Sequence, residues 1–295
     1  MKVGIIGLGN MGAPMARRLL VNGHDLKAFD TNAQIAPHFA GHWADSLRDV
    51  GADRDVIVTM LPNGQIVREV LLGEAGALAA ALPGTLVVDT SSSDPSGTIA
   101  LGTELAARGF TLIDAPVSGG VPLASQGRLS LMIGCNDPSA LERARPVLQA
   151  FGERHVEVGR LGCGHAAKAI NNAIAATIIA ITSEGLLLGE RCGITPATLL
   201  DVINSSTGKS LVSETVFKTQ ILPRKFNLGF SMGLMSKDVD IAASLSKRLA
   251  LDLPILETAS ASWSAACGTL GSTTDSTAFL RAVEIRNGMA SSGLD

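Results

Sequence analysis

Lys168 stands in GCGHAAKAINNAIAATIIAITSEGLLLGE, residues 162–190, among alanines and isoleucines, with Asn171 and Asn172 as its polar company. A free lysine, with a pKa near ~10.4, holds its proton at neutral pH; an apolar cleft disfavours the charged form and makes the amine a usable acid or base. The structural alternative is that the aliphatic stem lies on apolar surface while the ammonium reaches water. Gly164, Lys168 and Asn172 recur every four residues, so on a helix they drift by about 40° per step and share one face. A second group is Ser118, Gly119 and Gly120 in DAPVSGG, after a β-type run. Consecutive small residues expose their N–H groups and, with the serine hydroxyl, form a cup for a carboxylate. The plain alternative there is a flexible loop.

A third group opens the chain. VGIIGLGNMGAPMARRLL runs from a β-type segment through Gly7, Gly9 and Gly12, with Asn10 and Met11 between them, into a helical pattern. In such a loop the first glycine allows a tight turn, the second lets the backbone approach a pyrophosphate, and the third packs helix on sheet. A second run, LKAFD, ends in Asp30, placed to accept hydrogen bonds from an adenosine ribose. A carboxylate there repels a 2′-phosphate, and Thr31 and Asn32 provide no arginine to receive one, so NAD is expected rather than NADP. An ordinary turn acid is the other reading of Asp30.

The elements that must position these groups follow from periodicity. VGIIG, LKAFD, DVIVTML, TLVVD, TLIDAP and LSLMIG alternate with helical patterns up to about residue 160, the mark of a mainly parallel sheet covered by helices. From 163 onward helical patterns are separated by CGITP, SSTGKS, LPRKFNLG and LDLP, which predicts an all-helical half. The expected boundaries are 1–162 and 163–295. A helix over 164–190 would extend about 40 Å and is apolar nearly all round, so it is expected to be covered on several sides, at the domain junction and against a second subunit.

The chain has 295 residues, 46% hydrophobic and 17% charged, with a formal net charge of −3. No large basic field is available, which argues against nucleic acid or an anionic membrane and for a small-molecule partner. The four cysteines are scattered without a CxxC pair, so reduced thiols and a cytoplasmic location are expected. His38 and His42 flank Gly41 without a third ligand and read as loop histidines, so no metal is expected. The run VGIIGLG is broken by glycines and lacks a cleavage pattern, unlike a secretion signal. AIAATIIAIT, at 173–182, covers about half of the ~20 residues a membrane-spanning helix needs, so a buried helix is expected.

Four segments, GIIGLGNMGAPMARRL, DAPVSGGVPLASQGRLSLMIG, GHAAKAINN and FSMGLMSKDVDIA, together resemble the β-hydroxyacid dehydrogenase family, most closely its 3-hydroxyisobutyrate dehydrogenase-like branch. The resemblance covers nearly the whole chain. It implies an α/β Rossmann-type N-terminal domain for NAD, a long interdomain helix, an all-α C-terminal domain and a homodimer or homotetramer, with the active site in the cleft between domains. It makes Lys168 the general acid/base, with Asn172 beside it, and assigns Ser118, Gly119 and Gly120 to the substrate carboxylate. Gly164 would make room there. Leu61, Pro62 and Ser92 at strand ends, and Lys237 from the helical half, are assigned to the cofactor. Read without the family, Lys237 beside Asp238 would be a surface pair. One departure concerns the loop NSSTGKSLVSE, where the close relatives carry an arginine and a bulky aromatic but this chain has Lys209, Ser210 and Leu211. Lysine keeps the charge and loses the bidentate fork. With no tyrosine, eight Phe and two Trp, an aromatic-lined pocket is disfavoured. The expected reaction is NAD-dependent oxidation of a short 3-hydroxy carboxylic acid to its semialdehyde. The alternatives are a physiological reductase of a tartronate semialdehyde-like aldehyde, and a dinucleotide-binding interaction protein without catalysis.

Overall fold

A computed structural model describes residues 1–289; the end of the expected second domain, 290–295, lies outside the described residues. The chain divides into two compact units, Met1–Lys168 and Ala169–Asp295.

The first unit is built on eight strands: β1 (Lys2–Ile6), β2 (Asp25–Phe29), β3 (Val56–Thr59), β4 (Leu86–Asp89), β5 (Thr111–Asp114), β6 (Val117–Ser118), β7 (Ser130–Gly134) and β8 (Arg154–Gly159). Their order is β2-β1-β3-β4-β5-β7-β6, with β8 also on β7. The strands from β2 to β5 pair in parallel; β7 runs antiparallel to β5 and β6 and parallel to β8. Period-two alternation sends Val3, Ile5, Val56 and Val58 into one apolar cluster and Ile57 and Val87 into another, so helices cover both faces. Two strands were not evident in the sequence. β6 has only two residues, and β8 is largely solvent-facing and carries Arg154 and Glu157, which hides its pattern.

The covering helices are α1 (Gly12–Val21), α2 (Leu47–Gly51), α3 (Gly64–Leu72), α4 (Pro95–Ala106), α5 (Gly120–Gln126) and α6 (Pro138–Phe151). Asn63, Asp94 and Asp137 accept N–H bonds at the starts of α3, α4 and α6, and Pro95 and Pro138 occupy first-turn positions where no N–H is needed. α1 and α5 begin without a side-chain cap. In α1 the Ala13 N–H already donates to the Gly9 carbonyl at 3.1 Å and Pro14 has no N–H, so an outside acceptor would meet the N–H of Gly12 and of the loop before it.

The long α7 (Cys163–Arg191) has 29 residues, and the division between units falls inside it rather than ahead of it. It is followed by α8 (Pro196–Asn204), a π-helical segment Val212–Ile221, α9 (Met232–Arg248), α10 (Pro254–Leu270) and α11 (Phe279–Arg286). The second unit's core centres on fully buried Trp263, whose ring lies 4.5 Å from Phe279 and whose Nε1 donates to the Ala176 carbonyl at 3.1 Å. The wider turn of the π segment adds a residue without changing the apolar pattern, so the sequence does not announce it.

Within the single chain α7 is buried on one face only. Ala169, Ala173, Ala176, Ile179 and Leu186 are buried, whereas Ile170, Ile174, Ile181 and Leu188 are 49–66% exposed along the opposite face. By length and composition α7 could cross a membrane, which the ten-residue reading of 173–182 did not anticipate. Its buried face nevertheless packs into the helical core and holds the polar side chains of Asn172, Thr182 and Ser183.

Candidate active site

The glycine loop after β1 separates the three glycine roles. Gly7 has φ +96°, and a Cβ there would lie 2.2 Å from the Met60 carbonyl oxygen; a Cβ on Gly12 would lie 1.9 Å from the Gly7 oxygen. A Cβ on Gly9 would meet nothing within 4 Å. The chain itself therefore demands glycine at 7 and 12, while space stands open above Gly9, next to Asn10, Met11 and the uncapped start of α1. That open cradle of N–H groups fits a pyrophosphate. Asp30 anchors the loop: its Oδ2 accepts the Leu8 N–H at 2.6 Å and its Oδ1 the Asn32 N–H at 2.8 Å. Each oxygen retains a lone pair for a ribose hydroxyl, so a turn-forming role and a ribose-binding role are compatible. Leu61 and Pro62 follow β3, and Ser92 follows β4; the two strand ends are tied where the Leu61 N–H donates to Ser91 Oγ at 2.9 Å.

Asp114, the last residue of β5, is completely buried. Its Oδ1 accepts the Gly162 N–H and its Oδ2 the His165 N–H, both at 2.8 Å, so one carboxylate ties the first turn of α7 to the sheet. Burial pushes this carboxyl above the ordinary range, opposed by the charge of His165 and by the N–H bonds. The close approach needs Gly164, where a Cβ would lie 2.4 Å from the Met132 carbonyl and 2.7 Å from Asp114 Oδ2. The room that Gly164 makes is filled by the sheet. The anchored turn also explains why residues 163–168 fall in the first unit. Lys168, one turn after Gly164 and half-buried, is carried at the same strand ends as the glycine loop. Ser118 ends β6, and Gly119 (φ +135°) and Gly120 (φ +68°) lead into the uncapped α5, an arrangement of exposed N–H groups suited to a carboxylate.

The second unit holds Asn172, 8% exposed, whose Nδ2 donates to Asp238 Oδ2 at 2.7 Å. Asp238 is 1% exposed, and its Oδ1 lies 3.2 Å from Lys237 Nζ. The neighbours Lys237 and Asp238 are thus not a surface pair; the acid is a buried partner that sets the orientation of Asn172. Lys209 pairs with Glu214 at 2.8 Å across the start of the π segment, so its charge is already countered.

The profile for the NAD binding domain of 6-phosphogluconate dehydrogenase matches residues 2–159, and that for the NAD-binding region of NADP-dependent 3-hydroxyisobutyrate dehydrogenase matches 162–283. The sequence is 38% identical to 2-(hydroxymethyl)glutarate dehydrogenase of Eubacterium barkeri over 86% of this chain and 85% of that one. It is 35% identical to 2-hydroxy-3-oxopropionate reductase of Escherichia coli (strain K12) over 97% and 98%. The fold is similar to that of Mycobacterium tuberculosis 3-hydroxyisobutyrate dehydrogenase solved with L-serine, with a TM-score of 0.86, 31% identity, and coverage of 96% and 98%. The chain belongs to the β-hydroxyacid dehydrogenase family, in its 3-hydroxyisobutyrate dehydrogenase-like branch. It is therefore an oxidoreductase with NAD(P)-binding domains, of a family acting on hydroxy acids.

Within this dehydrogenase, the first unit gathers Gly7, Gly9, Asn10, Met11, Gly12, Asp30, Leu61, Pro62, Ser92, Ser118, Gly119, Gly120 and Lys168, and the second holds Asn172 and Lys237. Among the described residues no group of three or more His, Cys, Asp or Glu could hold a metal. Sequence reasoning passed over Asp114, Asp89, His165 and Asp238. The available signal was an acid closing an apolar strand, as in TLVVD and TLIDAP, because such a carboxylate sits where the core ends.

Proposed function

We propose that this dehydrogenase oxidises a short 3-hydroxy carboxylic acid to its semialdehyde with NAD, and that Lys168 is the general acid/base. The observation that carries the reading is the anchored first turn of α7, which holds Lys168 at the carboxyl ends of a parallel sheet, where dinucleotides bind in such folds. The Lys168 amine takes the hydroxyl proton as the alcohol carbon becomes a carbonyl. Bound NAD would accept the hydride. Ser118, Gly119 and Gly120 hold the substrate carboxylate, and Asn172, oriented by Asp238, offers its amide to the lysine or the hydroxyl. Asp30, with no arginine in the adjacent Thr31 and Asn32, supports NAD over NADP. 2-(Hydroxymethyl)glutarate, 3-hydroxyisobutyrate and 2-hydroxy-3-oxopropionate all place oxygen on the carbon next but one to a carboxylate, which supports that substrate class.

The same residues serve reduction, with Lys168 returning the proton. The match to a 2-hydroxy-3-oxopropionate reductase over 97% of the chain favours an aldehyde such as tartronate semialdehyde as the second reading. The exposed stripe Ile170, Ile174, Ile181 and Leu188 supports a homodimer or homotetramer, and four free thiols support a cytoplasmic location. Turnover of a panel of 3-hydroxy acids with NAD or NADP, followed by reduced-cofactor absorbance, tests the reading. We expect NAD-linked oxidation that Lys168→Ala abolishes while NADH still binds; near-normal turnover by that variant would reject the assignment.

A further inference from the structure

We propose that His165 is a positioning residue, joining the turn that carries Lys168 to α4 and setting the register of the reactive amine. This inference rests on the functional reading above and adds a residue to it. The side chain of His165 is wholly buried. Its Nδ1 lies 2.7 Å from Thr98 Oγ1, and Thr98 Oγ1 in turn donates to the Asp94 carbonyl at 3.1 Å. Thr98 thus holds the ring at Nδ1 while its own hydroxyl lies on the first turn of α4.

The opposite ring nitrogen points toward the other strand ends. Nε2 has no hydrogen-bond partner and lies 3.6 Å from Asp89 Oδ2. Asp89 closes β4; it accepts from Thr59 Oγ1 at 2.9 Å and from the Ser91 N–H at 3.0 Å, while Ser93 Oγ donates to its other oxygen at 3.3 Å. Ser91 is the residue whose hydroxyl holds Leu61. The imidazole thus fills the space between the nucleotide-side strand ends and the turn bearing Lys168, with its backbone N–H on Asp114 and its ring on Thr98. Asp114 Oδ2 is 3.9 Å from Nδ1, so Asp89, Asp114 and Thr98 surround the ring from β4, β5 and α4. Lys168 is three residues further along the same helix, and rotation of that turn moves the amine with it.

The test compares His165→Leu, His165→Asn and Thr98→Val in the full-length enzyme. Asn retains a polar amide near the position of Nδ1, and Leu retains only bulk. For His165→Leu we expect folded protein by circular dichroism, with kcat lowered about 10-fold or more and KM for the hydroxy acid little changed, because a displaced amine costs transition-state rather than ground-state stabilisation. His165→Asn should recover most of kcat. Thr98→Val should lower kcat alone yet add little to His165→Leu, since both remove one contact. Should His165→Leu not fold, the Asn and Val variants decide the matter. A folded Leu variant with unchanged kcat, an Asn variant no better than Leu, or strictly additive losses would each overturn the proposal. Urea melts of His165→Leu, Thr98→Val and the double variant read the contact without turnover: a non-additive loss of stability supports the link, and strictly additive losses overturn it. If the unmodified enzyme turns over no 3-hydroxy acid, the functional reading fails, while the melts still judge the link between His165 and Thr98.

Discussion

Replacing Gly164 by alanine isolates the link between the sheet and the turn that carries Lys168. The added methyl would sit 2.4 Å from the Met132 carbonyl oxygen, 2.7 Å from Asp114 Oδ2 and 2.9 Å from the Asp114 carbonyl oxygen. None of these is the end of a flexible chain: two are backbone atoms, and the third is a buried carboxylate already holding two N–H groups. Restoring ordinary contact distances requires the turn to retreat by about 1 Å. Such overpacking costs about 1–3 kcal/mol. A retreat of that size also stretches the Gly162 and His165 N–H bonds to Asp114, each worth about 0.5–1.5 kcal/mol. Because the costs overlap, a loss of about 2–4 kcal/mol in unfolding free energy is expected. Lys168 lies one turn away and moves with the backbone, and a displacement near 1 Å costs about 100-fold in rate. Urea denaturation gives the first quantity and steady-state oxidation of the best 3-hydroxy acid with NAD the second. A Gly164→Ala enzyme with unaltered midpoint and kcat would show that the turn is not held against β5 and β7 in the way described.

Other substitutions probe separate parts of the site. Asp238→Ala leaves the Asn172 amide without its buried acceptor; kcat should fall about 10- to 100-fold with the fold retained, and an unchanged kcat would remove Asp238 from the positioning of Asn172. Asp30→Ala loses the anchor of Leu8 and, on the proposed reading, a ribose acceptor, so KM for NAD should rise about 10- to 100-fold and the proposed preference over NADP should narrow; equal KM values would count against Asp30 as the selector. The buried Asp114 carboxyl has a raised folded-state pKa, so the stability it contributes is present below its unfolded value and is lost as pH rises through the folded one. The difference in unfolding free energy between wild type and Asp114→Asn should therefore shrink as pH rises through that window, as urea melts at stepped pH would show; a difference that grew with pH would contradict it. In the second unit, Trp263→Ala removes a fully buried ring and its bond to Ala176, with an expected loss of about 3–5 kcal/mol by the same melts, and a loss under about 1 kcal/mol would mean that the core closes without it.

Much of this arrangement was legible in the residues. The alternation of β-type and helical runs marks strands β1 to β5 and the change to helices after about 163, because burial on both faces of a parallel sheet leaves short apolar runs; the order in which those strands pair was not in it. Gly7 and Gly12 were readable because backbone sterics near a tight turn exclude any Cβ whatever lies elsewhere. The short β6, the charged β8 and the π segment were not, since two residues, exposed side chains and one extra residue per turn leave the pattern almost unaltered. α7 read as apolar all round because composition does not tell which isoleucines a folded chain will leave uncovered.

The sequence by itself determined which groups could do chemistry: a lysine among small apolar neighbours, a Ser-Gly-Gly turn and a glycine loop followed by an acid are local patterns, carried by residues close together along the chain. Only the tertiary structure decided what holds them. Asp114 meets Gly162 and His165 across a separation of 48 and 51 residues, and Asn172 meets Asp238 across 66. Such pairings depend on where strand ends and helices arrive after packing, so a buried carboxylate looks the same in the sequence whether it will face solvent, a neighbouring turn or a catalytic side chain.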